Sequence, residues 1–218
     1  MKRIIILFIM SVICILSIIV LLYLFNIIPH KKDEKKYKNE DFQIQTYKSK
    51  VDKDKDGIDD QTDFFQNVRA YIATKPIYKS KYYEFGYPDD KYGVCTDVIA
   101  FGLKDAGYDI RELLDEDVRK YRSKYDIDEI DKNIDFRRVS NLNVYMKQYF
   151  VTLTNDLYDI DEWQGGDIIV FEKHIGVISD KRNDKGVPYL IHHTDVQSDY
   201  EEDILETRND IVAHYRIS

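Results

Sequence analysis

Two separated blocks of this sequence hold residue types that do chemistry together. Gly93-Val94-Cys95-Thr96-Asp97 reads as the opening of a helix, and His174-Ile175-Gly176-Val177-Ile178 reads as a strand. Cys95 is the sole cysteine outside the hydrophobic N-terminus. A thiol at a helix start, with a histidine on a downstream strand, suits nucleophilic attack on a carbonyl. The helix N-terminus favours the thiolate and the imidazole moves the proton. The opposing reading is a buried, inert thiol, which is what most free cysteines are.

The elements that must position these residues are legible as periodicities. Cys95, Val98, Ile99, Gly102, Leu103 and Ala106 form a helical stripe that stops at Gly107. An earlier helix carries Phe64, Phe65, Val68, Tyr71 and Ile72 and ends before Pro76. A later one begins after Ser140, with Leu142, Tyr145, Met146 and Tyr149 on one face. Beyond Gly165-Gly166 the pattern changes to short β-rich runs at 168–171, 175–179, 187–193 and 211–217, with a hairpin turn at 183–186. Helices first and an antiparallel sheet second make an α+β domain. On the strand, His174, Gly176 and Ile178 share a face, so a small residue beside the histidine would leave room for substrate. His192 and His193 point to opposite faces, and only one of them can reach the site.

Residues 4–28 carry no charge and are almost all apolar, enough to cross a bilayer. No small-residue cleavage site follows, so the stretch is expected to be an uncleaved anchor, residues 1–29. Lys2 and Arg3 on one side face Lys31, Lys32, Lys35, Lys36 and Lys38 on the other. That count alone would put the long C-terminal part inside, but long domains translocate largely regardless of charge. An extracytoplasmic domain is the expectation. Residues 30–50, rich in Lys, Asp and Glu, read as a solvated linker. The formal net charge is −8, which lacks the basic footprint of a nucleic-acid binder. With one thiol outside the span, no intrachain disulfide can form there.

Residues 51–63 hold a second chemical signal. Asp52, Asp54 and Asp56, then Gly57, then Asp60 and Asp63, follow the spacing of a calcium loop. Hard cations need several oxygens converging on one point, and the glycine permits a sharp turn. The segment resembles thrombospondin type 3 and dockerin loops and departs from an EF-hand at two places: position 12 is Asp63 rather than Glu, and the apolar residue, Ile58, sits at position 7 rather than 8. Structural Ca2+ is one reading; a solvated acidic linker is the other.

Several blocks between residues 64 and 218 resemble the DUF1287 family, uncharacterised bacterial proteins placed near the NlpC/P60 and papain-like cysteine peptidases. They are Gly86-Tyr87-Pro88 with Gly93 to Asp97; Asn133 to Val139; Trp163 to Ile168; His174 to Asp180; Ile191-His192; Glu201-Glu202-Asp203; and His214-Tyr215-Arg216. The resemblance implies a papain-like domain, with helices packed on an antiparallel sheet behind one transmembrane helix. It implies Cys95 as nucleophile, His174 as general base and then acid, and His192 as the polar group that orients the imidazole. It implies no catalytic cofactor, and a cell-wall peptide amide as substrate, because NlpC/P60 relatives cleave stem-peptide amides. Where the family usually has Asn after His192, this chain has His193.

Other residues carry two readings each. Arg137 and Arg138 would clamp a substrate carboxylate or serve as internal salt-bridge donors. Tyr92, just upstream of the thiol, would assist the site. His214 is expected to pair with a carboxylate or with backbone rather than to enter the chemistry. The whole is expected to be a membrane-anchored cysteine amidohydrolase. The alternative is a non-catalytic wall-binding or assembly module on the same fold.

Overall fold

The computed structural model describes residues 2–24, 35–196 and 199–217. The chain divides into two units, residues 1–35 and 36–218. The first contains α1 (Lys2–Leu24). At 1.5 Å per residue this helix is about 35 Å long, against a hydrocarbon core of roughly 30 Å. It is long and apolar enough to cross a membrane, a property that a signal sequence shares. The end of the apolar run, 25–29, and the start of the charged segment, 30–34, lie outside the described residues.

The second unit is a mixed α+β domain. Four longer helices, α2 (Asp60–Ala73), α3 (Cys95–Asp105), α4 (Ile110–Lys120) and α5 (Val139–Tyr149), precede most of the sheet. The strands are β1 (Ile77–Tyr78), β2 (Tyr92–Gly93), β3 (Val151–Thr152), β4 (Ile168–Phe171), β5 (Ile175–Arg182), β6 (Pro188–Ile191), β7 (Glu201–Glu202) and β8 (Ile211–Arg216). β1 and β2 form a small parallel pair. The other six form one antiparallel sheet in the order β3-β8-β4-β5-β6-β7.

The run Ile168-Ile169-Val170-Phe171 shows why the sheet has no solvent face at its centre. Ile168 and Val170 join Val98, Ile99, Leu103 and Met146 in one apolar cluster. Ile169 and Phe171 join Trp163, Ile178, Leu190 and Leu205 in a second. A strand covered on both faces reads as a continuous apolar run rather than an alternation. The stripe of α3 is buried as its spacing requires, with Val98, Ile99 and Leu103 inaccessible to solvent.

Three sequence expectations change. Residues 36–50 are not a solvated linker. Tyr37 and Arg182 exchange backbone hydrogen bonds (2.9 and 2.8 Å), Asn39 Nδ2 donates to Gln164 Oε1 at 2.9 Å, and Ile44 is buried. Partners distant in sequence thus anchor Tyr37 and Asn39 of this segment. The segment 51–63 is not all loop, because α2 already begins at Asp60. The space beside Gly176 is not left for substrate. A Cβ there would lie 2.7 Å from Leu190 Cδ1, 2.9 Å from Ile191 O and 3.2 Å from His192 Cβ. The glycine lets β6 close on β5 and brings His192 in.

Candidate active site

Cys95 is the first residue of α3, and Val94 before it is extended, with φ −134° and ψ 178°. Val94 has no side-chain oxygen to cap the helix. The turn is held instead by Asp97, whose Oδ2 accepts from the Val94 N–H at 2.7 Å. This is half of a capping box. Arg137 completes the arrangement: its Nε and Nη2 donate to Asp97 Oδ1 and Oδ2 at 2.7 and 2.8 Å. Its Nη1 donates to Lys81 O at 2.6 Å. Both side chains are essentially sealed from water, at 2% and 0% exposure. Thr96 Oγ1 donates to Arg137 O at 3.1 Å, tying the same turn to the same residue.

Cys95 lies in the same buried apolar cluster as Ile175, the first residue of β5, and the backbone N–H groups of Ile175, Thr96 and Cys95 favour the ionised form of its thiol. His174 immediately precedes Ile175 and is partly exposed. The start of α3 therefore meets the start of β5 at Ile175, one residue after His174. His174 Nε2 lies 2.9 Å from His192 Nδ1. His192 Nε2 lies 3.0 Å from Glu202 Oε2. The β5–β6 register, Val177 opposite Ile191, puts Gly176 opposite His192 and makes His174 its diagonal neighbour on one face.

Burial dominates the electrostatics. It pushes the Cys95 thiol up to about 11, against the three backbone N–H groups and with help from the nearby Asp97 charge. It pushes His174 down to about 4, with His192 and Arg208 adding to the effect and Asp210 opposing it. His192 is also lowered by burial, opposed by Glu202. At neutral pH the resting pair is therefore a thiol and a neutral imidazole, not the thiolate that the helix start alone would favour. A helix N-terminus is worth about 0.3–1 kcal/mol. Moving a thiol from 9.0 to about 11 corresponds to roughly 3 kcal/mol, so burial wins.

The remaining sequence candidates separate. Arg137 has its donors committed to Asp97 and Lys81 O, so it is an internal ion-pair donor and not a substrate clamp. Arg138 is exposed and reaches Asp135 at 3.8 Å. The ring of Tyr92 is flanked by Lys79, Lys81 and Lys91 at 5.1, 5.0 and 5.5 Å. Among the described residues no hydrogen bond links its side chain to the site. The tyrosine nearest in effect is Tyr78, paired with Gly93 across β1–β2; burial and the neighbouring Cys95 push its hydroxyl up. Tyr78 also packs on His193 at 5.3 Å. His193 is buried, and its Nδ1 has no partner. His214 pairs with Asp167 at 3.0 Å and stacks on Trp163, while Arg216 donates to both oxygens of Asp167 at 2.7 Å.

In the acidic segment, carboxylate oxygens of Asp52, Asp54 and Asp56 lie within 4.8 Å of one another. Asp52 Oδ1 is buried without a partner. Asp63 is buried and accepts from Asn67 at 3.0 Å. Asp60 does not fit the expected ligand set. Its Oδ1 accepts from the Lys53 N–H at 2.7 Å, and its Oδ2 accepts from the Tyr108 hydroxyl.

Sequence reasoning assigned no role to Tyr78 or Glu202. Glu202 was visible as part of a family block, but a two-residue strand carries no periodicity that would aim its side chain.

The profile described as Domain of unknown function (DUF1287) matches residues 65–217. The chain belongs to the DUF1287 family. The uncharacterized protein YijF of Escherichia coli (strain K12) is 31% identical over 162 residues, which is 68% of this chain and 78% of that protein. No solved structure gives a significant match. The span that places this chain in DUF1287 contains Cys95, His174, His192 and Glu202 and begins after the acidic segment.

The buried Asp97–Arg137 pair makes a direct prediction. Replacing Arg137 with Met strands a buried carboxylate and should cost about 3–5 kcal/mol of stability. A urea titration of the variant checks it. An unchanged midpoint, as an exposed substrate clamp would give, contradicts the assignment.

Proposed function

We propose that this protein is a membrane-anchored, extracytoplasmic cysteine amidohydrolase acting on peptide amide bonds of the cell wall. The observation that carries the reading is the shared buried cluster of Cys95 and Ile175, one residue beyond a histidine that is itself hydrogen-bonded to His192. The sulfur attacks the carbonyl carbon as its proton passes to His174. The carbonyl oxygen becomes an oxyanion facing backbone N–H groups at the start of α3. His174 then returns the proton to the leaving amine as the C–N bond breaks. Water attacks the resulting thioester, giving its proton to His174, and the carboxylate product leaves with the thiol restored. A neutral resting pair is compatible with this sequence, because the proton moves as the new bond forms.

One observation favours a second reading, a wall-peptide binding module: the thiol is raised and the imidazole lowered, so neither group is ionised at rest. Turnover separates the two. The full chain in detergent, given purified stem peptides, should release a new amine and carboxylate. Cys95→Ala should lose about 10³-fold or more of that rate. Undiminished cleavage by the variant contradicts the amidohydrolase, and binding without cleavage by the wild type favours the module.

We also propose that Asp52, Asp54, Asp56 and Asp63 hold a structural Ca2+, with the unpartnered Asp52 oxygen available to it. The ion would supply charge neutralisation and rigidity just before α2, not chemistry. About 10 mM Ca2+ should raise the thermal midpoint by a few degrees, and Asp54→Asn should abolish the rise. Equal midpoints with and without Ca2+ would remove the proposal.

A further inference from the structure

The relay does not stop at His192. Beyond it stands Glu202, on β7, whose register places Glu202 opposite Leu190 and Glu201 opposite Ile191. The ladder continues through the His192 N–H, which donates to Tyr200 O at 3.0 Å. Strand alternation sends the two glutamates to opposite faces. Glu201 is anchored by Arg69 at 3.0 Å, by Lys181 and by the Ser179 hydroxyl. Glu202 faces His192, and its second oxygen accepts from the Asp199 N–H at 3.2 Å. Arg208, bound to Asp210 at 2.6–2.7 Å, acts on both histidines, and Asp210 acts on His174 in the opposite sense.

The chemistry of a carboxylate then fixes the hydrogens. An ionised carboxylate only accepts, so the nitrogen facing Glu202 must carry the hydrogen: His192 Nε2–H. Burial keeps His192 neutral, so its Nδ1 is bare and accepts. The nitrogen facing it across 2.9 Å, His174 Nε2, must therefore donate. That leaves the lone pair of His174 on Nδ1. The opposite tautomer of His192 would set a lone pair against the carboxylate and N–H against N–H at His174. A second-sphere partner choosing the tautomer of a working histidine is a general device.

We propose that Glu202 is a positioning residue which, through His192, fixes the tautomer of His174 and leaves His174 Nδ1 as the nitrogen that takes the Cys95 proton. The inference rests on the Cys95–His174 reading of function. Glu202 touches no reacting atom.

The test is nitrogen NMR of the full chain in detergent micelles, with histidine rings labelled, alongside steady-state kinetics on stem peptides. The wild type should show Nε2–H at both His174 and His192. Glu202→Leu should convert each to a mixture of tautomers and lower kcat about 10–100-fold with KM unchanged, the signature of a misoriented base. Glu202→Gln, whose amide oxygen can still accept, should recover most of both. A wild-type His174 carrying its hydrogen on Nδ1 overturns the inference, even if Glu202→Leu fails to fold. Unchanged tautomers in Glu202→Leu also overturn it. The expected tautomers without Cys95-dependent turnover would uphold the Glu202 relay and defeat the amidohydrolase. Cys95-dependent turnover with tautomers indifferent to Glu202 would do the reverse.

Discussion

Asp97 has no exposure to solvent, and the way its charge is held determines the site. An isolated buried carboxylate is costly unless it is paired and hydrogen-bonded. Here its Oδ2 caps the start of α3, and both its oxygens receive a two-toothed guanidinium. Arg137 in turn reaches Lys81 O and lies over the Tyr83 ring at 5.1 Å. One ion pair thereby joins the helix start, the turn before α5 and the tyrosine-rich loop after β1. Cys95 sits two residues before that carboxylate, so the sulfur has little freedom. The same charge stands close enough to oppose thiolate formation.

Position and activation therefore pull against each other. The fold secures the thiol by burying it, and burial disfavours its ionised form. The imidazole suffers the same effect in the opposite direction of charge. What survives is a neutral thiol and a neutral imidazole that is hydrogen-bonded to His192. On the proposed amidohydrolase reading, such a site needs an approaching carbonyl to draw the proton across. This protects the thiol from adventitious oxidants, since susceptibility follows thiolate character and exposure. On the proposed reading it also gives the hydrogen-bond chain behind the imidazole its importance, because orientation would do what resting ionisation does not.

Legibility in the sequence followed apolar pattern. The α3 stripe and the runs of β4 and β5 stand in the sequence because their apolar residues recur at helix and strand periods. Cys95 and His174 were found with them. α4 has no legible apolar stripe because RELLDEDVRK is mostly charged, although Ile110, Leu114 and Val118 are buried one turn apart. Residues 36–50 looked like linker because Asn39 is held by Gln164 and Arg182, contacts with no local signature. Asp60 had the spacing of a ligand, but Tyr108 claims it through α2 packing. The adjacent arginines were indistinguishable by type; only the fold buries Arg137 and leaves Arg138 exposed.

The central claim is a buried, neutral Cys95 thiol that is nonetheless reachable. Its most direct measurement is the rate of Cys95 alkylation by iodoacetamide in the folded full chain, mapped by peptide mass spectrometry from pH 5 to 10. The account predicts a rate rising about tenfold per pH unit across the range without levelling, because the thiol is pushed up to about 11. A plateau reached below about pH 7 would mean a resting thiolate and contradict the neutral pair. A thiol that fails to react at any pH in the folded protein would contradict the site itself.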